Sequence, residues 1–309
     1  MLIAAEQVAI LYIIAAVGFV ADKIGWFTES IAKKCTDLLF YVVVPAKILE
    51  SFLTLEYSEK TFKGLFVAIG MGMLMHGIAA LFASPLFGKT EGDKKCVYRF
   101  ACMYGNCGFM GLPLVDAVLG SEGVFYCSAV IISFQIFCFT HGVWIMNRDK
   151  EGEKVKIDLK KIILNPGVIP VIIGLPLFVL RVKLPDIIQT PVISIASLNS
   201  PFAMLIFGTF LAHTDFKAIF KDGKVVAVAL FKLIAMPAVM VGIIKLFGLS
   251  GVLASTVAIC ASTPTANNTV MFSAKYDCDT ALASRIVAVV SLVSIVTLPL
   301  SIALTGMIL

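Results

Sequence analysis

Two short stretches of this chain put groups that can hold an anion beside groups that interrupt a helix. In the first, GNCGFMGLP over residues 105–113, one carboxamide (Asn106) sits among Gly105, Gly108, Gly111 and Pro113. In the second, STPTANNT over residues 262–269, hydroxyls and two carboxamides surround Pro264. Glycine and proline are the residues that least favour a continuous helix. A helix interrupted inside a membrane leaves unpaired amides at one end and unpaired carbonyls at the other, and the amide end carries partial positive charge. That end suits a carboxylate. Asn106 can bond the ligand or cap the freed backbone. Gly108 and Gly111 let the chain approach closely, and Pro113 fixes the restart of the helix. In the second stretch Thr263, Pro264, Thr265, Asn267 and Asn268 can line the same site, or their side chains can satisfy the break itself. One residue can do both.

Other candidates are more isolated. Lys47 follows Pro45 by two residues and precedes Glu50 by three; it either acts in the site, pairs with Glu50, or snorkels to the interface. Asp116, one turn after Pro113, either carries a coupling proton or binds sodium, or is hydrated and inert. Lys232 lies about 12 Å along its span at 1.5 Å per residue and is expected to snorkel to the cytoplasmic interface. Asn165-Pro166 reads as an N-cap followed by proline at the first helical position, with a ligand role as the alternative. Asn199, ahead of Pro201, and Gln135 can supply further walls of a cavity. His76 and His141 have no partners at metal-ligand spacing and are expected to be packed. No metal site is expected, and no cofactor.

These residues must be positioned by a membrane protein. Of 309 residues, 59% are hydrophobic and 15% charged, and mean hydropathy is +0.97. Soluble domains run near 45–50% apolar and about 25% charged. The apolar runs are continuous, without the period-two alternation of an outer-membrane barrel. The net charge of +5 sits in short links, with no basic helix or stacking motif, so nucleic acid is not an expected partner. The eight cysteines fall mostly inside apolar runs as small buried residues. Residues 4–21 lack the flanks of a signal peptide and read as a retained first helix.

At about 20 residues per span, the chain divides into ten: 3–21, 35–54, 64–87, 97–119, 123–146, 162–181, 190–212, 224–247, 251–274 and 280–308. Most of the 25 lysines and arginines lie in links after odd-numbered spans. Links after even-numbered spans hold Lys60, Lys63, Arg181, Lys183 and Lys245. The positive-inside rule then places the central loop, 147–161, in the cytoplasm and both termini outside. Five spans in each half, 1–146 and 162–309, force the second half to run inverted. The halves echo each other: Pro45 in span 2 matches Pro201 in span 7, and the break in span 4 matches the break in span 9. Paired interruptions of this kind point to a transporter site.

The phrases GNCGFMGLPL, ILNPGVIP and TPTANNTVMFSAKYDCD, with the closing VVSLVSIVTLPLSIAL, resemble the auxin efflux carrier family, and in particular its short-loop bacterial organic-acid and malonate permeases. The resemblance covers essentially the whole chain. It implies a ten-helix all-α fold shared with bile-acid symporters and sodium–proton antiporters, with two inverted five-helix repeats and crossed broken helices. It also implies a scaffold of spans 1, 2, 6 and 7, an elevator-like transport body of spans 3–5 and 8–10, and a homodimer in the plasma (inner) membrane. Asn106, Pro113 and Pro264 match the family's span 4 asparagine and crossing prolines. Asn267 and Asn268 depart from the more apolar plant members and favour a smaller, more polar anion than auxin. The expected function is secondary transport of a small organic anion, auxin-like or a mono- or dicarboxylate. The alternative is a membrane sensor or regulatory subunit that binds the same class of ligand without moving it. No phosphate-binding loop, His-Glu-x-x-His, Gly-x-Ser-x-Gly or paired membrane aspartates occur, so neither a self-powered pump nor an enzyme is expected.

Overall fold

The computed structural model describes residues 2–90, 92–147, 159–213 and 222–308. Most of the central loop assigned to 147–161 lies outside them. Helices follow one another as α1 (Leu2–Lys23), α2 (Glu29–Leu38), α3 (Val44–Thr54), α4 (Glu59–Leu86), α5 (Asp93–Met103), α6 (Leu112–Phe137), α7 (Val143–Asn147), α8 (Leu159–Ile163), α9 (Ile169–Val179), α10 (Asp186–Ala196), α11 (Asn199–Ala212), α12 (Gly223–Leu230), α13 (Met236–Leu246), α14 (Gly251–Ala261), α15 (Asn268–Lys275) and α16 (Thr280–Ile308). No strand occurs among the described residues, only one isolated bridge.

Proline shapes several of these helices. Pro45, Pro113 and Pro237 each stand in the first turn of an α-helix that follows a wider π-helical turn: Leu39–Val43, Cys107–Gly111 and Phe231–Ala235. A proline ring has no N–H to give and crowds the carbonyl four residues back. The wider π turn makes room for that carbonyl without ending the helix. Side-chain caps fix other starts: Ser58 Oγ accepts from the Thr61 amide (3.0 Å) and Asp222 Oδ1 from the Lys224 amide (2.9 Å).

Among the described residues, five helical runs are long and apolar enough to cross a membrane: 59–86, 107–147, 186–212, 223–246 and 280–308. The 41-residue run Cys107–Asn147 joins what the sequence divides into two spans. The division is present all the same, because Gly120 stands at φ 65°, ψ −159°, a left-handed conformation that breaks the helix axis. Large apolar side chains such as Ile13, Leu81, Ile187, Leu246 and Val296 point outwards over half-exposed or more of their surface. Such an apolar exterior fits lipid better than water.

The helices pack in two groups. α1 lies along α11, and α3 lies against α9 and α10. α4 packs on α5 and α6, α14 on α6 and α13, and α16 on α12, α14 and α15. The groups meet where α1, α3 and α11 touch α6, and where α1 touches α16.

Candidate functional site

The two interrupted helices meet at their breaks. Residues 104–106 separate α5 from the π turn that leads into α6, and residues 262–267 separate α14 from α15. The Asn106 amide donates to the Pro264 carbonyl (2.7 Å), and the Ala266 amide donates to the Tyr104 carbonyl (2.9 Å). These two bonds flank an antiparallel bridge between Gly105 and Thr265. Each break thus satisfies part of the backbone that the other leaves open, as buried peptide groups require. The bridge needs a glycine at 105. A Cβ there would stand 2.5 Å from Thr263 Oγ1 and 2.9 Å from Lys232 Nζ. Of the two glycines expected to permit close approach, Gly111 does so, since a Cβ there would stand 3.0 Å from Thr263 Cγ2, whereas Gly108 has only the Phe40 ring at 4.0 Å.

A cavity of about 360 Å³ opens beside the crossing. Asn106 and Asn267 form its polar end, with Ser284 and Ser291 from α16. Phe109, Met110, Phe207, Phe210 and Val270 supply apolar walls, and Glu29 and Lys33 stand on α2 at the same cavity. Neither the Asn106 nor the Asn267 carboxamide makes a side-chain hydrogen bond among the described residues; Asn267 precedes α15 without capping it. Both are left available to a ligand. A second space of about 30 Å³ lies against the other side of Asn106, lined also by Gly108, Gln135, Gly167 and Asn268. It has room for a water molecule or two. Gln135 Oε1 is buried there with no hydrogen-bond partner, while Asn268 Nδ2 donates to Cys138 Sγ (3.8 Å).

The hydroxyls of the second break turn away from both cavities. Thr263 Oγ1 donates to the Cys260 carbonyl (2.7 Å), Thr265 Oγ1 to the Ala101 carbonyl (3.0 Å) and Ser262 Oγ to the Ala258 carbonyl (2.8 Å). They satisfy the ends of α14 and α5. Asn165 is also locally engaged: its Oδ1 accepts from the Gly167 amide (2.9 Å) and its carbonyl from Val168 and Ile169. α9 therefore begins three residues later than the Asn-Pro pair suggests. Asn199 is fully buried in the first turn of α11 with Pro201, and both its amide atoms lack partners; it lines neither cavity. Pro45 and Pro113 start α3 and α6 rather than face the cavities.

The chain as a whole matches known transporters. The family model described as "Membrane transport protein" matches residues 3–302. The chain belongs to this family, the auxin efflux carriers. Two archaeal members, both described as uncharacterized transporters, align along nearly their full length. The one from Methanocaldococcus jannaschii is 25% identical over 96% of both chains. The one from Methanothermobacter thermautotrophicus is 24% identical over 96% of both. With its apolar helices, family membership makes this a multi-pass membrane protein of transport.

Of the other candidate side chains of this family member, Lys232 departs from its expected place, while Lys47 and His76 each make a contact of an expected kind. Lys232 does not snorkel. It is 1% exposed in the π turn between α12 and α13, and its ammonium lies against Gly105. The direction it faces is set by packing of α12 and the π turn against α5 and α16. Lys47 pairs with Glu50 (2.7 Å), and also with Asp116 (2.8 Å) across the cleft between the two helix groups. Ser200, on α11, donates to Asp116 Oδ2 (3.1 Å) and to the Pro113 carbonyl (3.3 Å). The lysine–aspartate pair joins residues 69 positions apart and had no local signal. His76 is buried, with Nδ1 at 2.7 Å from the Gly72 carbonyl and its ring stacked on Phe137. No cluster of three metal-ligating side chains occurs among the described residues.

Proposed function

We propose that this chain is a secondary carrier of a small organic anion, and that the anion's carboxylate binds at the crossing of the two broken helices. The observation that carries this reading is a bridged pair of breaks beside a cavity whose polar end is two uncommitted carboxamides, Asn106 and Asn267. The helical segments starting at Cys107 and Asn268 both begin at the crossing. Their first amides and dipoles favour negative charge there. The apolar walls from Phe109, Phe207 and Phe210 suit the hydrocarbon part of an auxin-like or other carboxylic acid.

In this reading α4–α7 with α12–α16 form the transport body, and α1–α3 with α9–α11 form the scaffold. α2 continues into α3, α5 into the part of α6 before Gly120, the part of α6 after Gly120 into α7, α8 into α9, α10 into α11, α12 into α13 and α14 into α15, which makes ten spans in two inverted sets of five, 1–146 and 162–309. Both termini lie outside. Glu29, Lys33 and Leu211 line the cavity at the ends that the lysine distribution assigns to the cytoplasm, so in this reading the conformation is inward-facing. An elevator-like displacement of the body would carry the crossing to the outer side.

Purified protein in proteoliposomes tests this with radiolabelled indole-3-acetate and malonate as probes. Saturable counterflow of either is expected. Stabilisation by an organic acid without any flux would turn the reading to a ligand sensor. Neither flux nor stabilisation across a panel of organic acids would contradict it.

A further inference from the structure

We propose that Asp116 is the coupling-cation site of this carrier, with the Lys47 ammonium standing in for the cation in the conformation seen here. The proposal rests on the carrier reading and adds to it the residue through which an ion gradient acts.

The geometry is asymmetric in an informative way. Asp116 sits on α6, one turn beyond Pro113 and ten residues along the chain from Asn106, in the helix group that holds Asn106. Its two partners, Lys47 on α3 and Ser200 on α11, belong to the other group. Lys47 has a second carboxylate on its own helix, Glu50, at 2.7 Å. If the groups slide past one another, Lys47 keeps Glu50 and stays compensated. Asp116 loses both its ammonium and its hydroxyl donor at one stroke. The side chains of this cluster are mostly shielded, with 9% of Lys47, 14% of Glu50 and 20% of Asp116 exposed. A carboxylate bared at such depth is strongly unfavourable unless it is compensated. A small cation from the aqueous phase, a proton or a sodium ion, meets that requirement and leaves again when Lys47 returns.

The surroundings offer no other compensation. α3 brings Lys47 and, beyond it, Glu50. α11 brings only the uncharged Ser200. α1, α4 and α14 bring no charged group into ion-pair reach of Asp116 among the described residues, and Glu122, the next acid on α6 itself, makes no ion pair with Lys47. Each inward-to-outward passage would therefore exchange a tethered cation for a free one at the same carboxylate.

The test needs no substrate. In the full-length protein, Lys47→Met with Glu50→Gln leaves Asp116 as the one carboxylate of the cluster, without its ammonium. Its melting temperature is followed while choline is replaced by sodium at constant ionic strength, and separately across pH at constant salt. A bound cation stabilises by mass action, so a rise of several degrees is expected with sodium if sodium is the ion, or with acid if it is the proton. Adding Asp116→Asn should abolish the rise, which also controls for titration elsewhere. A flat response in the double variant, or a rise that persists in the triple variant, overturns the proposal. If the double variant does not fold, Asp116→Asn alone keeps the Lys47–Glu50 pair and is read by probe flux. Flux is then expected to lose its response to the imposed proton or sodium gradient, and an unchanged response overturns the proposal. Absence of wild-type flux would count against the carrier reading, while the melting response would still decide the cation site.

Discussion

The two broken helices solve the same problem with opposite use of their polar groups. The first break is short, 104–106, and its carboxamide stays uncommitted beside the cavity. The second is longer, 262–267, and its hydroxyls from Ser262, Thr263 and Thr265 all donate to nearby backbone carbonyls. The difference follows from reach. A β-hydroxyl is short enough to bond the carbonyl three or four residues back on its own helix, as Ser262 and Thr263 do. The asparagines carry their amides further out. A polar run in a span is therefore not a measure of ligand contact; here the hydroxyls of Ser262, Thr263 and Thr265 hold the backbone, and the two asparagines, Asn267 and Asn268, line the cavities.

The comparison can be broken most severely at Gly105. Gly105→Val would drive a branched side chain into Thr263 and Lys232 and force the bridged breaks apart. Overpacking typically costs about 1–3 kcal/mol, and here it also removes two bridging hydrogen bonds. We expect a large fall in melting temperature and loss of ligand-induced stabilisation together. Gly108→Ala, where space is open, should change melting little. Wild-type behaviour at both positions would contradict the bridge.

A separation within the second break is the next test. Asn267→Ala should weaken binding of an organic-acid probe roughly tenfold, as expected for a lost hydrogen bond to a charged group at about 1.5–3 kcal/mol. Thr265→Val leaves the Ala101 carbonyl without its donor and should lower stability by about 1–3 kcal/mol, with probe affinity unchanged. Thermal melts with and without probe give both quantities. A reversal, with Thr265→Val losing affinity and Asn267→Ala losing only stability, would exchange the roles assigned to the two ends of the run.

The smallest effect is expected outside the membrane, at the start of α12. Burial pushes the Asp222 carboxyl up, but the Tyr98 hydroxyl (2.8 Å), the Lys224 amide and the Arg285 guanidinium (3.0 Å) together hold it below its ordinary value. A carboxyl held low contributes stability above its unfolded value, near 3.9, and loses that contribution as pH falls through its folded value. Asp222→Asn should therefore lower stability slightly at neutral pH and blunt the loss seen on acidification below about pH 4. An identical acid response in wild type and variant would remove Asp222 from the account. This cap ties α12 to α5 and α16, so it holds the body that carries both breaks.

Much of this was legible in the sequence because helix breakers are local signals. Gly105, Asn106, Pro113 and Pro264 announced both interruptions, and Gly120 falls between the fourth and fifth expected spans. Which side each residue faces was not legible. Lys232 looked like a snorkelling lysine because its depth can be counted along a helix, whereas its orientation depends on neighbours. Thr263, Thr265 and Asn267 belong to one polar run, yet Thr263 bonds its own helix, Thr265 bonds the Ala101 carbonyl of α5 and Asn267 makes no side-chain hydrogen bond among the described residues, a division set by how the second break packs against α5. Lys47 and Asp116 were separate candidates; the ion pair between them appears only when two elements distant in sequence are brought together. Asn199, buried with both amide atoms unpartnered, has no role explained by the structure.

The most direct test of the central claim is a thermal-shift titration of organic acids against wild type and Asn106→Ala. The site at the crossing predicts a wild-type protein stabilised by at least one acid, and a variant that melts as a folded protein but has lost about a hundredfold or more in affinity, at 1.4 kcal/mol per tenfold. A folded Asn106→Ala protein with wild-type affinity would contradict it.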